Sequence, residues 1–177
     1  MTDAKEYARA LFELAEESGK TEAVISDLAL IDSAFSENPD YKNLLDTPAL
    51  SKDEKLSLID EAFSTLDEYA VNTLKILCER HSVRLFPKVK AEIEKLYDEA
   101  RGIERVEAIT AISMTDEQIK GMTKKLEAIT NKTVIIKNIV DKSVLGGVIL
   151  RYSGVQLDGS VKTRLDDFRK SLSNIVI

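Results

Sequence analysis

The chain of 177 residues contains no Trp, three Pro, one Cys and one His. A single Cys excludes an internal disulfide. No apolar run approaches the roughly 18 residues that a membrane-spanning helix needs. The N-terminus lacks the basic start and apolar stretch of a secretory signal, and it is too acidic for a transit peptide. We therefore expect a cytoplasmic protein with no direct membrane insertion, which works at a membrane only if other proteins bring it there.

The composition is that of an acidic globular protein. Apolar residues make up 44% of the chain, which is enough for a hydrophobic core, and the length allows one domain or two small ones. The formal net charge is −6. Nucleic acids and anionic membranes both bind basic surfaces, so this charge argues against either as the main partner.

The charge is distributed unevenly along the chain. Residues 1–105 carry 14 Lys or Arg and 23 Asp or Glu, a net charge of −9. Residues 106–177 carry 11 and 8, a net charge of +3. This asymmetry indicates two modules with different surfaces, with chance scatter as the alternative.

The first module, residues 1–105, shows helical spacing of apolar residues almost throughout. Thr2 and Thr21 are predicted N-caps, and Ser51 with Glu54 forms a predicted capping box. The predicted helices span residues 3–18, 22–36, 40–46, 52–63, 67–80 and 83–100. Because the connections between them are short, we predict a six-helix bundle.

The second module, residues 106–177, begins with residues that alternate in polarity, which is typical of a strand. Thr115 is the predicted N-cap of a helix that ends at residue 130. Further predicted strands span residues 133–137, 148–152 and 155–157, and the last helix spans 161–173 with Val161, Leu165, Phe168 and Leu172 on its apolar face. A strand-helix-strand start permits a right-handed crossover. The fold class is therefore mainly α, with a small α/β module that contains a mixed sheet.

Four of the seven glycines lie between positions 146 and 159. Gly146 and Gly147 precede a predicted strand, whereas a phosphate-binding loop needs its glycines before a helix, together with a lysine and a hydroxyl. Asp158, Gly159 and Ser160 open the last predicted helix, with Ser160 as the N-cap. We interpret these glycines as architectural.

Groups that could support chemistry are sparse. Cys78 and His81 are three residues apart on one predicted helix. A metal site needs three or four ligands, and nucleophilic catalysis needs a third group to orient the pair. The sequence shows no further metal ligand and no orienting group near Cys78 and His81, so we expect both residues to have only a packing role. Asp141 and Asp158 are typical of turns. We expect no metal, no cofactor and no catalytic residue.

Three segments carry a family resemblance. Residues 140–160, with Gly146-Gly147 and Asp158-Gly159-Ser160, closely resemble the C-terminal signature of the delta subunit of F-type ATP synthases, in its bacterial form. This family includes the mitochondrial oligomycin-sensitivity-conferring protein. Residues 7–15 are similar to its opening helix, and residues 106–111 are similar to the strand that starts its second half. The resemblance covers essentially the whole chain.

The apolar face of the first predicted helix is unusually wide. Its eight apolar residues cover an arc of about 200°, whereas a helix at the edge of a bundle needs only about 100°. Residues 67–80 show a similar excess, because Tyr69 and Ile76 lie apart from the main apolar face. Two interpretations remain open: the helix is central in its own bundle, or part of its face binds a partner.

The family resemblance favours the partner. It implies that the first and fifth helices form a groove for an amphipathic N-terminal helix of the alpha subunit. It also implies that residues 106–177 bind the C-terminal region of the b subunit. The residues that we assign to the groove are Tyr7, Ala8, Leu11, Ala15, Ala70, Leu74 and Leu77. The residues that we assign to the structural signature are Gly146, Gly147, Asp158, Gly159, Ser160 and Leu165.

The function that the resemblance implies is that of a stator. The chain would join the catalytic head to the peripheral stalk, resist the torque of the rotor during proton-driven ATP synthesis, and catalyse nothing. No homo-oligomer is expected. The alternatives are an interaction adaptor outside ATP synthase and a small enzyme with a helical cap. One departure is that family members often carry Asn-Gly-Arg where this chain has residues 79–82, Glu-Arg-His-Ser.

Overall fold

The computed structural model describes residues 4–152, 154–163 and 165. Within these residues the chain is mainly helical, with seven α-helices, one 3-10 helix and a four-stranded sheet. It divides into two compact units, Met1–Tyr97 and Asp98–Ile177. The sequence predicted a boundary between residues 105 and 106, but the last helix of the first part already crosses into the second unit.

Most of the helices belong to the first unit. Their bounds are α1 Ala4–Glu17, α2 Thr21–Glu37, α3 Pro39–Asp46, α4 Lys52–Ala62, α5 Glu68–Glu79, the 3-10 helix Val83–Leu85 and α6 Phe86–Arg101. All of them contribute side chains to a single hydrophobic core. Its largest fully buried members include Leu28, Ile31, Leu74, Phe86 and Ile93.

The aromatic side chains cluster at one place in this core. The ring of Phe35 packs edge-on against those of Phe63 and Phe86, with centroids 6.5 and 5.6 Å away. Tyr41 joins the cluster at 6.1 Å from Phe35 and donates a hydrogen bond from its hydroxyl to the carbonyl of Leu58. Burial raises the pKa of Tyr41 to about 12, so the hydroxyl stays protonated and keeps this bond.

The predicted start of α4 is correct, and α5 begins one residue later than predicted, at Glu68. Ser51 and Glu54 form the predicted capping box, in which the hydroxyl accepts from the Glu54 amide and the carboxylate accepts from the Ser51 amide. Asp67 is the N-cap of α5, and its carboxylate accepts from the amide of Tyr69. Each cap provides an acceptor for an amide that has no partner within the helix.

Two other predicted starts are wrong. Thr21 is already inside α2, and its hydroxyl donates to the Glu16 carboxylate rather than capping the helix. The helix predicted to begin at residue 83 is interrupted, because Pro87 has no amide hydrogen to donate to the Val83 carbonyl. The Phe86 amide donates to that carbonyl instead, which gives the 3-10 turn before α6.

The second unit contains the sheet. Its elements are β1 Ile103–Thr110, α7 Asp116–Thr130, β2 Thr133–Val140, β3 Val148–Tyr152 and β4 Val155–Asp158. The strand order is β2-β1-β3-β4, with β1 and β2 parallel and the other two pairings antiparallel. The predicted mixed sheet is therefore confirmed. Thr115 forms a capping box with Gln118 at the start of α7, as predicted.

The strand bounds needed correction. β1 begins at Ile103 and ends at Thr110, and β2 runs on to Val140, because the two strands pair residue by residue from Ile103 with Thr133 to Thr110 with Val140. The alternation expected for β1 also fails at its end, where Ala108, Ile109 and Thr110 are all buried. A strand in the middle of a sheet can be covered on both faces, which removes the two-residue period.

The last predicted helix is described only at its beginning. Residues 161–163 are helical, and the Thr163 amide donates to the Ser160 hydroxyl, which confirms Ser160 as the N-cap. Leu165 is exposed. Phe168 and Leu172 lie outside the described residues. No helix in the described part of the chain is long and apolar enough to cross a membrane.

Candidate docking surfaces

The residues predicted to line a groove on α1 and α5 are mostly core residues in this structure. Tyr7 is half-buried and packs against the core. The other six are buried, namely Ala8, Leu11, Ala15, Ala70, Leu74 and Leu77. These six side chains lie in the contact between α1 and α5, so a partner would have to bind the side chains beside them. Binding at this place stays a prediction.

One flank of α1 is apolar and open. Tyr7, Ala10 and Leu14 follow each other at spacings of three and four residues, so they share a side of the helix. Leu14 is 49% exposed. The opposite flank of α1 faces α6, because Arg9 lines a shallow cavity together with Glu92.

α5 has a matching flank. Tyr69, Thr73 and Ile76 share one side, and Ile76 is 45% exposed. The opposite side of α5 faces α4, because the ammonium of Lys75 lies 2.5 Å from the carboxylate of Asp60. The open flanks of α1 and α5 are therefore the sides that neither α6 nor α4 covers.

A polar junction fixes the end of α1 against the start of α5. The Lys20 ammonium lies 3.0 Å from the Asp67 carboxylate and 5.5 Å from the centre of the Tyr69 ring. Burial by itself raises the pKa of the Asp67 carboxyl. Hydrogen bonds from the Tyr69 amide and the Lys20 ammonium outweigh burial, and the pKa lies below its usual value.

We call the surface formed by the two open flanks the α1/α5 face. Ala10, Leu14 and Ile76 are exposed on it, Tyr7 and Tyr69 are half-buried, and the buried Thr73 lies between Tyr69 and Ile76 on α5. An apolar strip between two helices is the kind of surface that accepts the apolar side of a third helix. The sequence signal for Leu14 and Ile76 was present, because both lie at the edges of the wide apolar arcs. The structure shows that the central positions of both arcs are buried in the core, whereas Leu14 and Ile76 remain about half exposed.

A second apolar surface lies in the second unit. A cleft of about 740 Å³ opens between the β1–α7 connection, α7 and the loop before β3. Ile112 and Leu145 line it and are 79% and 75% exposed. The remaining lining residues are Thr110, Ala111, Ser113, Met114, Gln118, Gly121, Met122, Lys125, Gly146, Gly147 and Val148. None of the side chains of α7 is buried. Large apolar side chains left this open indicate a site for a partner.

The glycine signature shapes one wall of this cleft, which we call the β3 cleft. The Gly159 amide donates to the Val148 carbonyl at 3.0 Å, and the Val161 amide donates to the Gly146 carbonyl at 2.9 Å. Gly147 has a φ of +82°. The loop before β3 is thereby held against the segment after β4. The sequence indicated architectural glycines, but it did not indicate that the Gly146-Gly147 pair meets Gly159.

The Asp158 and Asp141 carboxylates each accept a hydrogen bond within the turn that contains them. Asp158 accepts from the Ser160 amide and Asp141 accepts from the Ser143 amide. Hydrogen bonds from these serines hold the pKa of both carboxyls below its usual range. The described residues contain no group of three or more His, Cys, Asp or Glu side chains arranged to hold a metal ion.

Cys78 and His81 have separate structural roles. The Cys78 thiol is buried and lies 3.6 Å from the carbonyl of Leu45. His81 adopts a left-handed φ of +52° just after α5, and the Ser82 amide donates back to the Leu77 carbonyl. This is the geometry of a glycine-type helix end, here formed with a histidine.

A family model described as ATP synthase delta (OSCP) subunit matches residues 4–172. The chain belongs to this family. It is 34% identical to ATP synthase subunit delta of Clostridioides difficile, over 98% of this chain and 97% of that protein. It is also 34% identical to the subunit delta of a Geobacillus species, over 96% of each.

A solved structure shares the fold. A chain in the mitochondrial ATP synthase hexamer of Toxoplasma gondii covers 97% of this chain, with a TM-score of 0.75 and 23% identity. Proteins of the delta (OSCP) family are non-catalytic stator subunits of F-type ATP synthase. The family predicted from the sequence and the non-catalytic role are therefore confirmed.

Proposed function

We propose that this delta-family chain joins the catalytic head of ATP synthase to the b subunit of the peripheral stalk through two separate apolar surfaces. In this proposal the six helices of residues 1–105 act as one bundle that binds the head, and residues 106–177 bind the stalk. The chain is then held at the membrane from the cytoplasmic side through the complex. The observation that carries the proposal is that each compact unit has its own exposed apolar surface.

The α1/α5 face is the proposed site for the amphipathic N-terminal helix of the alpha subunit. Leu14 and Ile76 are about half exposed on flanks that neither α4 nor α6 covers. The buried small side chains of Ala8, Ala15 and Ala70 bring the backbones of α1 and α5 close together, so the strip between the flanks is narrow. A helix laid along this strip would bury both exposed side chains, which is favourable by about 25 cal/mol for each Å² of apolar surface removed from water.

The β3 cleft is the proposed site for the C-terminal region of the b subunit. Ile112 and Leu145 lie in connections and are largely exposed, so a partner that covered them would remove apolar surface from water. The net charge of +3 over residues 106–177 favours an acidic partner segment. A stator must stay attached under torque, so large apolar contacts with slow dissociation suit this role.

The test uses the full chain and measures its binding to the catalytic head and to the b subunit separately. The double variant Leu14→Glu/Ile76→Glu should weaken binding to the head and leave binding to the b subunit unchanged. Ile112→Glu/Leu145→Glu should do the reverse. Circular dichroism and thermal unfolding establish that each variant is folded.

The chain supplies matched controls. Leu30 on α2 is 55% exposed and Ile129 at the end of α7 is 77% exposed, and neither belongs to the two surfaces. Leu30→Glu and Ile129→Glu should leave both binding reactions unchanged. Loss of head binding in Leu30→Glu, or normal head binding in the α1/α5 double variant, would contradict the assignment of that face. Normal b binding in Ile112→Glu/Leu145→Glu would contradict the assignment of the cleft.

A further inference from the structure

One edge of the sheet in the second unit is a long and mostly apolar strand. β2 lies at the end of the strand order and pairs with β1 on one side. It has eight residues, and Lys137 is the one charged residue among them. The edge of a sheet carries a row of backbone N–H and C=O groups that can pair with another strand. Proteins often prevent this pairing with a short edge strand, a proline or several charges, and β2 has none of these devices.

Hydrogen bonds at the two ends of β2 establish which of its residues face β1. The Thr133 amide donates to the Gly102 carbonyl, and the Asp141 amide donates to the Thr110 carbonyl. In a parallel pair, the residues that bond to the neighbouring strand alternate with residues whose backbone groups point the other way. The odd-numbered residues of β2 therefore bond to β1. The backbone N–H and C=O groups of residues 134, 136, 138 and 140 point away from it, to the edge.

The first of these four positions is already covered. The Val134 amide donates to the Glu127 carboxylate of α7 at 3.3 Å. Among the described residues, no such partner is present for the edge-facing groups of Ile136, Asn138 and Val140. The second half of β2 therefore offers three backbone donors and three backbone acceptors in a row.

The side chain of Asn138 does not compete for these groups. Its Nδ2 donates to the Ala108 carbonyl and to the Thr110 hydroxyl, each at 2.8 Å, and its Oδ1 accepts from the Met114 amide at 2.8 Å. All three contacts are with β1 or with the connection that follows it. The Asn138 side chain is thus held toward the inside of the sheet, and the edge beside it stays open to an added strand.

The charges beside this edge favour an acidic partner. Lys137 is exposed. Glu107 on β1 is the register partner of both Lys137 and Arg151, so one carboxylate faces two cations across the sheet. The Glu127 carboxylate lies at Val134, three residues before Lys137, which is about 10 Å along a strand. A carboxylate on an added strand is therefore best placed opposite Lys137.

We propose that the second half of β2 binds an extended acidic segment of a partner protein, which adds to the sheet as a fifth, antiparallel strand. Its backbone pairs with Ile136, Asn138 and Val140, and one of its carboxylates lies opposite Lys137. Ile135 and Val140, each nearly half exposed, lie on opposite faces of the sheet and are covered when the strand adds. A second copy of this chain fits less well, because it would bring another Lys137 to the same edge.

This edge adds to the two surfaces of the stator proposal and does not depend on them. The described residues that line the β3 cleft include none from β2. The probe is therefore a synthetic peptide rather than an ATP synthase subunit. Its sequence is acetyl-Ser-Val-Thr-Val-Glu-Val-Thr-amide, in which Glu lies opposite Lys137 and the three Val lie opposite residues 140, 138 and 136.

The first experiment measures amide hydrogen exchange by NMR in the full chain, with and without the peptide. In the free chain the amides of residues 136, 138 and 140 should exchange quickly, and those of residues 135, 137 and 139 slowly. Saturating peptide should slow exchange at 136, 138 and 140 by at least about tenfold, because each of these amides gains a hydrogen bond. The alternation along β2 separates strand addition from binding elsewhere.

Two modified peptides test the backbone pairing without a change in the protein. N-methylation of the three Val amides removes the donors that face β2, so this peptide should give no protection. N-methylation of the Glu amide is the matched control. In an antiparallel strand that amide points away from β2, so the control peptide should still protect residues 136, 138 and 140.

The charge is tested by exchanging it between the partners. Replacing Glu by Lys in the peptide should weaken binding to the native chain by at least about threefold, since attraction opposite Lys137 becomes repulsion. Lys137→Glu should reverse this preference. Lys88→Glu on α6 makes the same change in net charge on an exposed residue of the first unit and should bind the peptides as the native chain does.

Four results would overturn the proposal. Slow exchange at residues 136, 138 and 140 in the free monomer would show that the chain itself covers this edge. A dimer in sedimentation equilibrium, with protection at the same residues, would assign the edge to a second copy. Equal binding of the two N-methylated peptides would exclude strand addition, and an unchanged preference in Lys137→Glu would exclude an acidic partner. None of these results bears on the α1/α5 face or the β3 cleft.

Discussion

A β-carbon placed on Gly147 would lie 2.5 Å from the carbonyl oxygen of Gly159. It would also lie 2.9 Å from the α-carbon of Ser160. Both contacts are with backbone atoms, which cannot rotate away. The Gly146-Gly147 pair and the single Gly159 are thus packed backbone against backbone, and this contact joins the start of β3 to the end of β4.

Gly147→Ala should destabilise the second unit by about 2 kcal/mol or more, because the clash adds to the strain of a positive φ. Gly154→Ala is the matched control. Gly154 has a similar φ of +78° but no atom within 4 Å of an added β-carbon, so about 1 kcal/mol is expected. Chemical denaturation checks both values. Equal losses in the two variants would show that close packing at Gly147 contributes nothing.

Gly121→Ala should act in the opposite direction. Gly121 lies inside α7 with open space around it, and alanine is the better helix former by about 0.8–1 kcal/mol. The expected result is a rise in the free energy of unfolding of that size. Because Gly121 also lines the β3 cleft, the same variant should be tested for binding to the b subunit. A loss of that binding without a loss of stability would show that the partner approaches this backbone closely.

Ala8→Glu should unfold or strongly destabilise the first unit, by about 3 kcal/mol or more, because Ala8 is fully buried and the new charge has no partner. Leu14→Glu places the same charge on the exposed flank of the same helix. Its stability should stay within about 0.5 kcal/mol of the native value, while its affinity for the alpha-subunit helix falls. A stable Ala8→Glu chain would mean that α1 presents its central stripe to the partner.

Asp67→Asn should lower the denaturation midpoint at pH 7 even though asparagine is also a good N-cap, because it removes the ion pair with Lys20. The folded-state pKa of Asp67 lies below its unfolded value. Its contribution to stability is therefore present above about pH 4 and is lost as the pH falls through the folded pKa. The difference between the native chain and Asp67→Asn should shrink below pH 4. Lys20→Met should show the same loss at pH 7, and combining the two variants should add little.

Cys78 should be unreactive in the folded chain. Burial raises the pKa of its thiol, so the reactive thiolate is scarce at neutral pH. Alkylation by iodoacetamide at pH 7 should be at least about tenfold slower in the native chain than in denaturant, since it requires local opening. Cys78→Ser should leave the coupling of ATP synthase intact, with a stability cost of about 1 kcal/mol. Rapid alkylation of the native chain would contradict this burial.

The sequence by itself determined much about this chain. It indicated the family, the number of α-helices before the sheet, the mixed character of the sheet and the caps at Ser51, Thr115 and Ser160. These features depend on residues that are close together in the chain. A cap is a hydrogen bond between residues a few positions apart, and an amphipathic helix is recognised from the spacing of its apolar residues. Element ends were less well determined, as at residue 83, where Pro87 changes which amide reaches the Val83 carbonyl.

Only the tertiary structure decided which apolar residues are core and which are surface. Ala8 and Leu14 belong to the same wide arc of α1, and their separation depends on where α5 and α6 lie. The contact of Gly147 with Gly159 likewise joins residues that are distant in the chain. The spacing of apolar residues in a helix or strand indicates the direction in which each side chain points. Whether that side chain is buried depends on the elements that pack against it.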